Sequence, residues 1–249
     1  MKLRNIIITC SAVISSALLA VSCTKKTGRE VALENTDFSN RSFVQIYNGT
    51  IGSARNYVYV DGNPVTGAAL AYGSTFPSTP ANFSVTPGYR AFLIRDTSST
   101  ILTQPALEFA ENFPTSKNYT VFMYDTVTSP KQKTVANNIE YPTDTTSRLR
   151  FANFIFTTAG APAVDVFSVK RNANIFSNIL QTDVTAYIPF QAGGLTALND
   201  TLMVRDAGTL NLLAQLNNFN PVPKRSYTIV FRGSYRVTAA RFLSSFINY

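Results

Sequence analysis

An all-β chain built from two tandem sandwiches is what this sequence predicts, and three observations predict it. The chain repeats itself at a spacing of about 105 to 110 residues. Its apolar residues alternate in short runs separated by turn residues, and no stretch carries sustained helical periodicity. Composition agrees: 18 Phe and 12 Tyr stand against 14% charged residues, a balance that favours a packed core over disorder.

The repeat is carried by three matches in register. Ala91-Phe92-Leu93-Ile94-Arg95-Asp96-Thr97 returns as Thr201-Leu202-Met203-Val204-Arg205-Asp206-Ala207. Asn112-Phe113-Pro114, then Lys117-Asn118-Tyr119-Thr120-Val121-Phe122, returns as Asn218-Phe219-Asn220-Pro221, then Arg225-Ser226-Tyr227-Thr228-Ile229-Val230. Ser42-Phe43-Val44-Gln45-Ile46-Tyr47-Asn48 matches Arg148-Leu149-Arg150-Phe151-Ala152-Asn153 less closely. The predicted domains are residues 37–141 and 148–249, joined by a polar, Pro-containing linker at 142–147.

In chain order, Lys2 and Arg4 precede an apolar run at residues 6–20, which fits a secretory signal and is short for a membrane span. It ends in Leu19-Ala20-Val21-Ser22-Cys23, which resembles a bacterial lipobox. Residues 1–22 are therefore expected to be a lipoprotein signal peptide, with Cys23 the lipidated first residue of the mature chain. Several acyl chains on one residue would give lasting anchorage. Residues 23–36 read as a flexible polar tether. The expected address is the outer membrane, with the membrane as partner through the lipid. Thr24-Lys25-Lys26 is unlike the acidic surface-export signals of some Gram-negative lineages, which favours the periplasmic face.

After the tether, strands are expected at residues 43–47, 57–60, 82–86, 89–95 and 118–124 in the first unit. In the second they are expected at 149–156, 164–169, 184–189, 202–205 and 226–232. Many alternate apolar and polar residues, as strands buried on one side do. Asp61-Gly62 reads as a type I′ hairpin turn and Thr86-Pro87-Gly88-Tyr89 as a second turn. Residues 106–112 are expected to form at most a turn or two of helix. Leu216, Pro221 or Pro223 and Tyr227 follow the order of a tyrosine corner, and Leu107, Pro114 and Tyr119 repeat it. That order points to immunoglobulin-like sandwiches; the alternative is that both tyrosines simply face the core.

Composition also excludes chemistry. The chain has no His, so Ser-His-Asp and Cys-His arrangements, ordinary zinc sites and the facial iron triad are all absent. No catalytic residue, metal site or cofactor is assigned. Cys10 leaves with the signal and Cys23 becomes a thioether, so the mature protein relies on its core and not on disulfides. Loss of Lys2 and Arg4 takes the net charge from +8 to about +6, and the basic residues are scattered, which argues against nucleic acid as a partner.

Ala161-Pro162-Ala163-Val164-Asp165-Val166-Phe167, preceded by Arg148-Leu149-Arg150-Phe151-Ala152-Asn153, resembles the domain of unknown function numbered 4397. That domain is common in envelope lipoproteins of Gram-negative bacteria and often occurs in tandem. The likeness covers most of the second unit and, more loosely, Tyr57-Val58-Tyr59-Val60-Asp61-Gly62 in the first. There Tyr57 stands where the motif has aspartate. The resemblance implies fold and location; no activity attaches to it.

Candidate residues remain. Asp165 lies in an apolar strand and is either a ligand contact or a structural aspartate bonded to loop backbone, the reading favoured here. Tyr57 and Tyr59, with Tyr47 and Tyr72 nearby in sequence, are candidates for stacking on a sugar. Arg95-Asp96 and Arg205-Asp206 end equivalent strands and read as a shared structural turn or ion pair. Glu108 and Glu111 are the carboxylates close enough in sequence to suggest an acid/base pair. Thr145, Thr126 and Thr201 follow aspartates in triplets that resemble O-glycosylation sites of exported bacterial proteins, with Thr145 expected to be modified first. The function expected is a non-catalytic binding or scaffolding module for a glycan or an envelope protein. The alternative is a carboxylate-dependent glycan hydrolase.

Overall fold

Short alternating strands and turns fold into two sandwiches with one shared topology. The computed structural model describes residues 39–97, 105–139, 141–194, 196 and 198–248. The expected signal peptide, Cys23 and the tether lie outside them. The first sandwich contains β1 (Ser42–Asn48), β2 (Arg55–Val60), β3 (Asn63–Pro64), β4 (Leu70–Ala71), β5 (Thr75–Phe76), β6 (Phe83–Val85), β7 (Gly88–Asp96), β8 (Leu107–Phe113), β9 (Asn118–Thr126) and β10 (Ser129–Ala136). One sheet runs β10-β9-β1 with β5 and β6 on the far edge of β1, and the other runs β3-β2-β7-β8 with β4 beside β2. The second contains β11 (Ser147–Phe156), β12 (Val164–Ser168), β13 (Ala173–Ile179), β14 (Ile188–Phe190), β15 (Asp200–Asp206), β16 (Leu212–Phe219), β17 (Ser226–Ser234) and β18 (Arg241–Ile247). Its sheets run β14-β11-β17-β18 and β13-β12-β15-β16.

The duplication is visible in the pairing. β1 runs parallel to β9 as β11 runs parallel to β17, while neighbouring strands elsewhere are antiparallel. A constant immunoglobulin domain keeps its first strand beside its second. Here the first strand of each sandwich lies instead beside the strand that carries the corner tyrosine. Asp61 and Gly62 both take positive φ, +50° and +79°, and close the two-residue β2–β3 hairpin as expected.

The tyrosine corner forms once. In the second sandwich the Val222 N–H donates to the Tyr227 hydroxyl at 2.8 Å. In the first, the repeat puts Pro114 at the position of Val222, and proline has no N–H to donate. Tyr119 keeps only the packing, its ring edge-on to Phe113 at 5.1 Å as Tyr227 is to Phe219 at 5.6 Å. Tyr227→Phe is therefore expected to cost about 1 kcal/mol in urea denaturation, and Tyr119→Phe close to nothing. Equal losses at both positions would contradict this account.

Two expectations need correction. Residues 106–112 are not helical; Leu107–Phe113 is strand β8, with Leu107 and Phe113 buried and Glu108 and Ala110 facing out. Residues 184–189 are not one strand: β14 holds only Ile188–Phe190, and Val184 makes an isolated bridge to Ala152.

Four strands are buried on both faces, beyond what alternation implied. In β11, Leu149, Phe151 and Ile155 enter the core of their own sandwich while Ala152 and Phe154 join a separate cluster. That cluster also contains Tyr47 and Phe122 from the first sandwich and Val230 and Phe246 from the second. The sheets built on β1/β9 and on β11/β17 thus pack face to face. Such doubly buried strands read as near-continuous apolar runs. Residues from Ser39 to Tyr249 accordingly make one compact unit.

Candidate functional site

The interface between the sandwiches has an apolar side and a polar centre, and the repeat explains the latter. Positions equivalent in the two copies face each other there: Thr120 and Thr228, Asn137 and Asn248, Gln45 and Arg150. Asn137 and Asn248 each donate a backbone N–H to the start of the corner strand, to Asn118 and Ser226. The Thr120 hydroxyl donates to Asn137 Oδ1 at 3.0 Å, and the Thr228 hydroxyl donates to Asn248 Oδ1 in the same way.

The copies differ at one pair. Asn248 Nδ2 donates to Gln45 Oε1 at 3.2 Å and to Thr120 Oγ1 at 3.1 Å. Its counterpart, Asn137 Nδ2, is buried with no hydrogen-bond partner. The residue equivalent to Gln45 is Arg150, and a guanidinium has no acceptor to offer.

Arg150 is only 1% exposed, the largest fully buried side chain among the described residues. Its Nε donates to Thr228 Oγ1 at 2.8 Å and its Nη2 to Thr120 Oγ1 at 3.0 Å, so it bridges the sandwiches. The guanidinium lies over the rings of Tyr187, 4.7 Å from the centroid, and Phe122, at 5.7 Å. No carboxylate pairs with it among the described residues. Burial lowers the Arg150 pKa, with the Tyr187 hydroxyl acting in the opposite sense. An arginine nevertheless stays charged at physiological pH. Burial also pushes the Tyr187 hydroxyl up, opposed by Arg150, and that hydroxyl has no well-formed hydrogen bond.

A cleft of about 390 Å³ opens onto this centre. Arg150 and Arg148, two apart on β11, project into it together with Asn138 and the covering segment that holds Thr185 and Tyr187. Arg148 is held by a 2.7 Å bond from Nη1 to Thr146 Oγ1. Among the described residues, no acidic side chain lines the cleft.

The residues singled out in the sequence lie elsewhere. Asp165 is 6% exposed, and its carboxylate accepts from the backbone N–H groups of Asn178 (2.8 Å) and Gly208 (3.0 Å) and from Asn174 Nδ2 (3.1 Å). It ties the bulged strand β13 to the β15–β16 loop. Tyr57 and Tyr59 share the outer face of the β3-β2-β7-β8 sheet, opposite Arg95 and Leu93 of β7. Tyr47 and Tyr72 do not join them: Tyr47 is buried in the interface, and Tyr72 packs on Arg232, 4.4 Å from ring centroid to guanidinium.

Asp96 accepts from Ser53 Oγ and the Ala54 N–H of the β1–β2 connection, and Asp206 from the Tyr235 hydroxyl and from Asn211 in its own turn. Glu108 and Glu111 lie three apart on strand β8. Odd spacing on a strand sends side chains to opposite faces, so the two carboxyls cannot flank one sugar. Thr145 is exposed in a turn where Asp144 Oδ1 accepts from the Thr146 N–H; Thr126 and Thr201 are half-buried within β9 and β15.

Alternation along a strand carries no sign that both faces are covered, so Arg150 does not stand out in the sequence of β11. The available signal was the repeat, which sets an arginine opposite the glutamine of the other copy.

No protein-family model and no curated protein matches the chain. Two solved structures are similar to it at low level. One is CBMbc, a family 26 carbohydrate-binding module from Eubacterium rectale Amy13K in complex with maltoheptaose: 9% identity, TM-score 0.27, covering 82% of this chain and 96% of that one. The other comes from work on alpha-glucan binding by a streptococcal virulence factor: 15% identity, TM-score 0.25, covering 76% and 92%. Neither likeness enters the reading of the site.

Proposed function

We propose that this protein is a non-catalytic binding module of the cell envelope, tethered by lipid at Cys23, which captures a glycan or an envelope protein in the cleft between its sandwiches. The observation that carries this reading is the cleft itself, a concave site lined by Arg148 and Arg150 together with Asn138 and Thr185. The divergence of Glu108 and Glu111 removes the pair on which the hydrolase alternative rested. Membership of the 4397 domain family, residence at the periplasmic face of the outer membrane, and O-glycosylation at Thr145 belong to the same proposal. The Ala161-Pro162-Ala163-Val164-Asp165-Val166-Phe167 run, Lys25-Lys26 and the exposed turn at Thr145 support them in that order.

The test of binding is a glycan array and an envelope-protein pull-down with full-length protein in detergent. Ala186 lies exposed on the cleft wall, and Ala186→Trp fills the space without touching the polar centre. Binding is expected to fall at least tenfold in that variant. Undiminished binding would place the site elsewhere. Cys23→Ala should release the protein from the membrane fraction and abolish labelling by a fatty-acid analogue, and retention of label would end the anchor assignment.

A further inference from the structure

Building on the cleft as the binding site, we propose that its ligand is an acidic sugar, whose carboxylate binds the Arg150 guanidinium and whose ring occupies the remaining space. A guanidinium carries five N–H donors. Arg150 spends two on Thr120 and Thr228, and Nη1 has no hydrogen-bond partner among the described residues although the side chain lines the cleft. Thr120 Oγ1 is saturated: it donates to Asn137 and accepts from Arg150 and Asn248. The centre can therefore supply no further acceptor to Arg150 from that side. Asn137, whose Oδ1 meets the same hydroxyl, has its Nδ2 donor orphaned. Among the described residues, the fold has thus brought together a buried cation with donors to spare and an idle amide donor, with no acceptor for the surplus.

Burying an unpaired charge is costly unless something compensates it. An oxyanion in the cleft provides the compensation, and a guanidinium binds a carboxylate through two parallel hydrogen bonds. Arg148, two residues along the strand, adds positive charge on the same wall. The volume, about 390 Å³, lies near the low end of small-molecule pockets, about 300–1,000 Å³. It is far larger than a carboxylate alone requires. Asn138 and Thr185 supply neutral polar groups beside the charge, the mixture that a hydroxylated ring with one acidic group calls for.

The experiment titrates full-length protein with D-glucuronate, D-glucose and acetate by isothermal calorimetry. Wild type, Arg150→Gln, Arg148→Gln and Ala186→Trp are compared. Arg150→Gln restores the residue that the other repeat carries, so it is expected to keep the fold and melt no lower than wild type. We expect saturable glucuronate binding, with glucose and acetate each at least tenfold weaker. Arg150→Gln should lose at least tenfold for glucuronate, and Arg148→Gln a smaller factor. Glucose binding as tightly as glucuronate would overturn the charge assignment while leaving the cleft as a glycan site. Acetate binding as tightly as glucuronate would remove the sugar, leaving an anion site open to acidic side chains. Glucuronate binding unaffected by Ala186→Trp, or glucuronate failing to bind at all, would sink the proposal; in the second case the array still tests the cleft with other ligands.

Discussion

Gly233→Ala is expected to destabilise the protein by about 3 kcal/mol or more, a fall in Tm of roughly 6–12 °C for a chain of this size. Gly233 lies near the end of β17 with φ at +101°, a conformation that costs a residue with a side chain about 1–2 kcal/mol. Sterics add more. A Cβ there would lie 1.8 Å from the Ala240 carbonyl oxygen and 2.9 Å from its carbon, both backbone atoms that no rotamer change can move. Relief requires the β17–β18 connection to shift, and β18 carries Ser244, Phe246 and Ile247 into the interface. Gly62→Ala is the control. Its φ is also positive, at +79°, but an added Cβ meets nothing within 4 Å, so only the conformational cost remains. Thermal melts of both variants check this; equal shifts, or a Gly233→Ala melt within about 2 °C of wild type, would show that the connection yields freely.

What the sequence disclosed and what it hid follow from where each strand sits. The strands it revealed are mostly central ones, such as β1, β2, β7, β9, β11, β12, β15 and β17, whose apolar residues are set by burial. The larger strands it hid are edges: β8, β10, β13, β16 and β18. An edge strand buries few residues and is protected by charge and polarity, and β10 reads Ser-Pro-Lys-Gln-Lys-Thr-Val-Ala for that reason. The two-residue strands β3, β4 and β5 are too short to leave a pattern. The candidate site was hidden by a different cause. Period-2 alternation shows that a strand has two faces but not that both are covered, so nothing in the pattern marks Arg150 on β11 or Thr228 on β17 as buried. Gln45 of β1 and Thr120 of β9 were hidden in the same way. The face-to-face packing that buries them joins residues distant in sequence, as in the bond from Asn248 to Thr120, 128 positions apart. Asp165 stood out because a carboxylate between two valines demands donors, and β13 and the β15–β16 loop supply them.

Phe122→Ala is the second large prediction, and it ties stability to the site. Phe122 belongs to the first sandwich but is fully buried against the second, its ring 4.8 Å from that of Phe154 and 6.3 Å from that of Phe246. Truncating a buried phenylalanine costs about 3–5 kcal/mol, because the cavity left behind adds to the lost transfer energy. The cost here falls on the contact between sandwiches and not on either inner core, which predicts a change in the form of unfolding as well as its midpoint. Wild type is expected to unfold in one transition, and Phe122→Ala in two. A cycle with Phe154→Ala should show a coupling of about 1–3 kcal/mol, since the two rings share one cavity. Arg150 depends on the same contact, because it is held by Thr120 from one sandwich and Thr228 from the other. Separating the sheets gives its guanidinium to water and removes the preorganisation that a bound oxyanion would use. Ligand affinity in Phe122→Ala should therefore fall together with stability, although Phe122 is not among the residues lining the cleft. Simple additivity in the cycle, with a single retained transition, would mean that the sandwiches are independent neighbours and that the cleft is not held by their packing.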